Sequence, residues 1–389
     1  MRLIGWSTYL ACSWTWCIGM FLPALLMRDF GWWGFVVFAV PNIVGAAAMG
    51  FLAPGGEKLR AWTETHASAI AWFTRVTIGF HLYFAGMLID RPLPFWSLPL
   101  AAILIVLMIS AARLRPSTFV RSSATVLLGS LVFGAGLMIT GPTPDHAALA
   151  AGSVPIGAFP LATVCILGFG LCPYLDATFL RTREQTEGRS GLVFTLGFGV
   201  FFASMIGLTA YYAPLLSAAG GAALKGPVRG WLAAHLLLQA CYTVAAHAER
   251  RMLNPPPSGR RVPPAATALA AGLLVGIGYL SRLLPPLGPM PAGEVGYRLF
   301  LSFYGLVFPA YLLIGFMTSG WSPRPLSRSS WRGFVTALVL ASPFYAIGFF
   351  TTNAAYLAPG VMVVAVVALI TKATDRRHPI EPAPPGPST

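Results

Sequence analysis

Few side chains in this sequence can do chemistry, and they stand far apart. Of twelve acidic residues, Asp176 alone falls clearly inside an apolar run, just after Pro173-Tyr174-Leu175. Arg75 is the only Lys or Arg well inside such a run, and His81, His235, Gln239 and Thr243 also stand there. A carboxylate or guanidinium at that depth is costly and marks an ion or substrate path by default. Asp176 and Arg75 are therefore read as an ion- or proton-coupling pair, joined by His81 and Thr243. Histidine suits proton relay because it titrates near neutral pH, although a lone buried histidine more often only packs and hydrogen-bonds. Gln239 and the aromatic pair Trp14 and Trp16 suit contact with a solute.

The chemistry that is missing narrows the choice. There is no Ser-His-Asp set, His-rich metal cluster or phosphate-cradling glycine loop. Glu184 and Glu187 stand close, but Arg181, Arg183 and Arg189 surround them, as in a solvated loop. Cys12, Cys17, Cys165, Cys172 and Cys241 lie in apolar segments without metal-ligand spacing, and read as small apolar side chains. No metal or cofactor is expected beyond a coupling ion, Na+ or H+, and an enzyme is not expected.

These residues are carried by apolar helices. Hydrophobic residues make up 56% of the 389 and charged ones only 10%, against roughly a quarter charged in water-soluble domains. The net charge of +14 suggests nucleic acid at first sight. Its lysines and arginines instead stand singly or in short groups between apolar runs, which is how membrane proteins fix their orientation. Membrane lipid and a small solute are the expected partners, and nucleic acid is not.

A spanning helix needs about 20 apolar residues. That window gives all-α architecture with about twelve spans, near 7–27, 32–53, 67–88, 95–112, 122–140, 156–180, 191–214, 230–247, 265–284, 297–319, 333–351 and 355–372. With the N-terminus inside, 19 Lys and Arg fall inside and 6 outside. That places both termini in the cytoplasm, in a multi-pass cytoplasmic (inner) membrane protein. Residues 1–377 form one membrane domain, 378–389 a Pro-rich disordered tail, and the loop Asn254–Pro264 links two blocks.

An internal repeat is also legible. Gly31-Trp-Trp-Gly34-Phe-Val36 matches Gly188-Arg-Ser-Gly191-Leu-Val193, and the same offset pairs Ala46 with Ala203 and Gly50 with Gly207. Trp72 matches Trp231 and Tyr83 matches Tyr242 at nearly that offset. Spans 1–3 thus resemble spans 6–8. An odd span separation makes the repeat inverted, an architecture of secondary transporters. Repeat 1 is taken as about 7–140 and repeat 2 as about 156–319, with two added helices over 333–372.

Spans 1 and 6 should each be broken. Gly19 and Pro23 interrupt the first, and Gly168, Gly170 and Pro173 the second. Opened backbone must face protein, water or a ligand, so the first break should offer carbonyls to a cation and the second N–H groups to an anion. The expected solute contacts are Trp14, Trp16, Cys17, Gly19, Gly168, Gly170, Cys172, Tyr174 and Gln239.

Two five-helix inverted repeats opened by broken helices resemble the leucine-transporter-type fold of the amino acid–polyamine–organocation superfamily. Trp14-Thr-Trp16-Cys-Ile-Gly19 followed by Pro41-Asn42-Ile-Val-Gly45 looks most like the sodium:solute symporter branch. The resemblance covers residues 7–319 and implies substrate held between breaks 1 and 6 and side chains of spans 3 and 8. Many sodium-coupled members add neighbouring Ser/Thr hydroxyls on span 8. Here Leu238-Gln239-Ala-Cys241-Tyr242-Thr243 offers Thr243 alone, which puts sodium coupling in question and leaves proton coupling open. The expected function is a symporter-like secondary transporter of a small organic solute, working by alternating access. The rivals are a membrane enzyme acting on a lipid-linked substrate and a non-transporting sensor. A parallel six-plus-six transporter is disfavoured because the loop Gly55-Gly-Glu-Lys-Leu-Arg60 lacks the Asp-Arg-x-Gly pattern.

Overall fold

The computed structural model describes residues 2–89, 97–111, 114–141, 143, 155–217, 226–248, 264–281, 283–287 and 290–377. The tail 378–389 and all but the last residue of the loop Asn254–Pro264 lie outside the described residues. So do several cations of the orientation count, among them Arg91, Arg113, Lys225 and Arg282.

Every described element is a helix or a turn, apart from one isolated bridge between Leu287 and Met290. Helix α1 (Arg2–Trp14) runs into a π turn (Thr15–Gly19) and then α2 (Leu22–Leu52). Helix α2 folds back on itself at Gly31, whose φ is 59°, a conformation glycine adopts without penalty. It thus holds the end of the first expected span and all of the second. Gly34 closes that hairpin, since a Cβ there would sit 2.1 Å from the Leu26 carbonyl oxygen. Gly188, with φ 80°, makes another such turn later in the chain. The stretch around Lys58, expected as a loop, is instead α3 (Gly56–Thr65), which buries Leu59 and Trp62.

Then come α4 (Ala67–Ile89), α5 (Ser97–Ala111) and α6 (Pro116–Thr140). Helix α7 (Pro155–Leu171) ends in a 3-10 turn (Cys172–Leu175) and resumes as α8 (Ala177–Gln185). Helix α9 (Ser190–Leu196), a π turn (Gly197–Phe202) and α10 (Ala203–Ser217) form one rod. Helices α11 (Pro227–His247) and α12 (Pro264–Ser281) come next. Helix α13 (Ala292–Ser302) continues through a π turn (Phe303–Val307) into α14 (Phe308–Thr318). Helix α15 (Arg328–Phe350) and, after a 3-10 turn (Ala354–Tyr356), α16 (Leu357–Arg377) end the described chain.

Seven described stretches are long and apolar enough to cross a membrane: 22–52, 116–140, 157–175, 190–214, 292–318, 328–350 and 354–375. Helix α4 has the length but carries Arg75 and His81, and α11 carries His235, Gln239 and His247, which dilutes their hydropathy. Val44, Phe51, Ile139 and Ile370 stand exposed, as lipid-facing apolar side chains do. Small residues set the closest crossings. A Cβ at Gly278 of α12 would lie 1.9 Å from the Tyr83 oxygen of α4, and one at Gly86 of α4 2.0 Å from the Val275 oxygen. All five cysteines are free, as expected of small apolar residues.

Candidate functional site

Two rods are interrupted, and the breaks face one buried centre. The first break runs from Thr15 to Phe21 and ends where Pro23 starts α2, as the Gly19 and Pro23 pair predicts. The second lies at Cys172–Asp176, beyond the expected glycines. Gly168 and Gly170 remain helical, and the chain turns extended only at Asp176, with ψ 117°. The physical reason is Pro173, which has no N–H to continue α7, together with Asp176. Its Oδ1 accepts from the Thr178 backbone N at 2.7 Å and from Thr178 Oγ1 at 2.6 Å, so it starts α8 as an N-cap. Gly168 serves packing instead, since a Cβ there would lie 2.8 Å from the Tyr304 oxygen, whereas Gly170 borders open space.

The opened carbonyls of the first break do not stand bare. Hydroxyls of two neighbouring helices donate to them, Tyr297 to Cys17 O at 3.1 Å and Thr209 to Gly19 O at 2.8 Å, and Thr243 gives its hydroxyl to Cys12 O at 2.9 Å in the last turn of α1, just before the break. The positive end of α8 is likewise taken by the Asp176 carboxylate. The dipole ends expected to meet a solute are thus satisfied from within the protein, as buried polar groups must be.

Asp176 is fully buried, but its partner is not Arg75. Its Oδ2 lies 3.2 Å from His247 Nε2. The carbonyl of Thr243 accepts from His247 Nδ1 at 2.9 Å. His81 of α4 stacks near by, with ring centroids 5.8 Å apart, and donates from Nδ1 to the Thr77 carbonyl. Arg75 points out of the bundle, with its guanidinium 5.6 Å from the centroid of Trp72. The two sit on different sides of α4, which their depth in the membrane could not reveal.

The remaining expected contacts divide. Trp16 donates to the His81 carbonyl at 3.4 Å, and Trp14 to Asn42 Oδ1 at 2.9 Å while resting edge-on against Phe179. The Cys172 thiol donates to the Tyr304 carbonyl. Trp14, Trp16, Cys17, Cys172, His81, Thr243 and Asp176 therefore surround one centre. Tyr174 leaves it for an aromatic cluster with Phe316 and Trp321. Gln239 turns to α6, donating to Ser130 Oγ at 2.8 Å.

Beyond the centre, one end of the bundle is sealed. Glu294 accepts two hydrogen bonds from Arg28, at 2.8 and 3.0 Å, and others from Arg298. Asp29 also accepts from both arginines, and Arg298 Nη1 donates to the Phe349 carbonyl. Two cations and two anions thereby tie α2, α13 and the end of α15. Beneath them lies an apolar cavity of only about 60 Å³, lined by residues such as Cys165, Gly168 and Tyr304. At the other end a cavity of about 1410 Å³ opens between α1, α3, α4, α6 and α8, lined by Arg2, Arg60, Arg115, Arg121 and Arg181, with Glu64 and Glu184.

Sequence reading missed His247 and the four-charge seal. The signal for His247 was the repeated Thr-x-x-x-His, at Thr77–His81 and Thr243–His247. For the seal it was Glu294 and Arg298 at helical i,i+4 spacing beside a span end, with Arg28-Asp29 at another.

No sequence family and no curated protein matches the chain in sequence. Among solved structures, one of a Na+-coupled sialic acid symporter, in a substrate-bound outward-open state, matches over 96% of this chain and 90% of its own, with a TM-score of 0.55 and 12% identity. At that identity the likeness speaks for the fold. The chain is an integral multi-pass membrane protein with a sodium-symporter-like fold.

Proposed function

We propose that this chain is a secondary active transporter that carries a small organic solute across the cytoplasmic membrane by alternating access. The observation that carries the proposal is the asymmetry about the broken helices. A buried polar centre is sealed at one end by Arg28, Asp29, Glu294 and Arg298 and lies next to a large aqueous-sized cavity at the other. A carrier caught open to one side has that form. The fold it shares with a Na+-coupled sialic acid symporter supports the same reading.

The finer architecture follows from it. The chain makes twelve crossings, ten of them as two inverted repeats of the leucine-transporter type, within the amino acid–polyamine–organocation superfamily. Supporting this, Gly31 and Gly188, paired by the repeat offset, both take positive φ at the turn after a broken rod. The arginine-lined cavity faces the cytoplasm, in keeping with positive-inside charge, and both termini lie on that side. Solute binds between the breaks, near Trp14, Trp16, Cys17, Gly19 and Cys172, and surrounding lipid is the other partner. No cofactor is needed beyond a coupling ion.

The test is uptake into proteoliposomes of a panel of sialic acid, amino acids, sugars and nucleobases, under imposed sodium and proton gradients. The proposal expects saturable accumulation of at least one class above protein-free vesicles. Turnover of a lipid-linked substrate without flux would replace it with an enzyme. Binding without flux would leave a sensor.

A further inference from the structure

We infer that Asp176 and His247 form a proton-binding pair that couples solute movement to the proton gradient, an inference that rests on the transport reading above. It starts from counting hydrogens. A carbonyl oxygen only accepts, so the contact with Thr243 O puts a hydrogen on His247 Nδ1. Nε2 then faces Asp176 Oδ2 at 3.2 Å. Without a hydrogen between them, a nitrogen lone pair would oppose a negative oxygen. One hydrogen therefore lies in that contact, and the pair is neutral whichever atom owns it.

Removing that proton leaves one negative charge in a site where Asp176 and His247 are almost wholly buried. An uncompensated buried charge is strongly disfavoured. The loaded pair is therefore compatible with the closed centre, while the unloaded pair needs water. Water is at hand on one side, because Ala177, Leu180 and Arg181, directly after Asp176 on α8, line the large cavity. The proton leaves Asp176 or His247 for water there, breaking the bond between α8 and α11. It is replaced from the opposite side when the outer seal opens.

The groups facing the pair fit this role. His81 approaches from α4, Tyr9 from α1, Tyr304 from the turn after α13, and Cys172 from the pair's own segment, with Arg181 beside Tyr9. Of these, His81 is placed to relay. Its Nδ1 hydrogen is spent on Thr77 O, which leaves Nε2 able to accept. The pair is also wired to the last turn of α1, just before the first break, because Thr243, whose carbonyl holds His247, gives its hydroxyl to Cys12 O.

Two measurements test the inference on the full-length protein in lipid. The first needs no solute: infrared difference spectra across a pH titration. Wild type should show one titration with coupled carboxyl and imidazole bands, lost in Asp176→Asn and His247→Gln and retained in Arg75→Gln. Absence of that titration, or its survival in either variant, overturns the pair. The second uses proteoliposomes loaded with a pH-sensitive dye and the solute panel. Solute entry should acidify the interior, and the proton entering per solute should fall to background in Asp176→Asn and His247→Gln. Flux driven by sodium with no acidification overturns the coupling. If the pair titrates and no solute moves under any gradient, the transport reading fails, and coupling with it, leaving only a buried proton site.

Discussion

Glu294→Gln should unlock the sealed end of the bundle. Glu294 is the shared acceptor of Arg28 and Arg298, taking two hydrogen bonds from the first and others from the second. Glutamine keeps one oxygen but points an NH2 group at a guanidinium, so at least one charge-assisted bond is lost and two cations face Asp29 alone. Such a bond is worth about 1.5–3 kcal/mol, and the Arg28 side chain is 37% exposed, so screening trims the figure. A loss of about 2 kcal/mol shifts the closed–open equilibrium about 30-fold. Cys165 reports the shift, because it lines the small cavity under the seal. With Cys12, Cys17, Cys172 and Cys241 replaced, a membrane-impermeant thiol reagent added from outside should label Cys165 about 30-fold faster in Glu294→Gln than in its parent. An unchanged rate in a variant that stays monodisperse would refute the idea that these charges hold the end shut.

The packing makes sharper predictions at neighbouring residues. Gly168→Ala should lower thermal stability and impair transport, because its Cβ would press on the Tyr304 backbone 2.8 Å away, whereas Gly170→Ala meets nothing within 4 Å and should melt like wild type. Thr243→Val removes the hydroxyl that donates to the Cys12 carbonyl and should cost about 0.5–1.5 kcal/mol, read as a lower midpoint in detergent unfolding. Arg75→Gln should leave flux and proton coupling unaltered, since the guanidinium lies outside the bundle against Trp72. Loss of coupling in that variant would return Arg75 to the site.

Where apolar helices run was legible in the sequence, and direction around a helix was not. Apolar runs marked where rods cross, and Gly19 with Pro23 located the first break, because hydropathy and backbone chemistry act locally. Of the three residues read as the second break, Pro173 lies in it, while Gly168 and Gly170 stay helical. A glycine in a membrane helix can open the backbone or admit a neighbour, and only the position of α13 decides between these. Arg75 and Asp176 were both read as intramembrane charges, yet α4 turns one outward while Asp176 faces inward to His247. Helices buried on several sides carry no clean apolar stripe from which that facing could be read. The hydroxyls that cap the first break come from Thr209 and Tyr297, far apart in the chain, so their meeting depends on the assembled bundle.

Counterflow tests transport by the broken-helix centre most directly. Proteoliposomes are preloaded with one unlabelled solute from the panel and diluted into a trace of the same solute bearing a label, with no ion gradient. A carrier that exposes one site alternately to each side predicts transient accumulation of label above the outside concentration, abolished by bulk at the first break in Gly19→Trp. Label that only equilibrates, at the rate of protein-free vesicles, for every solute tried would contradict it.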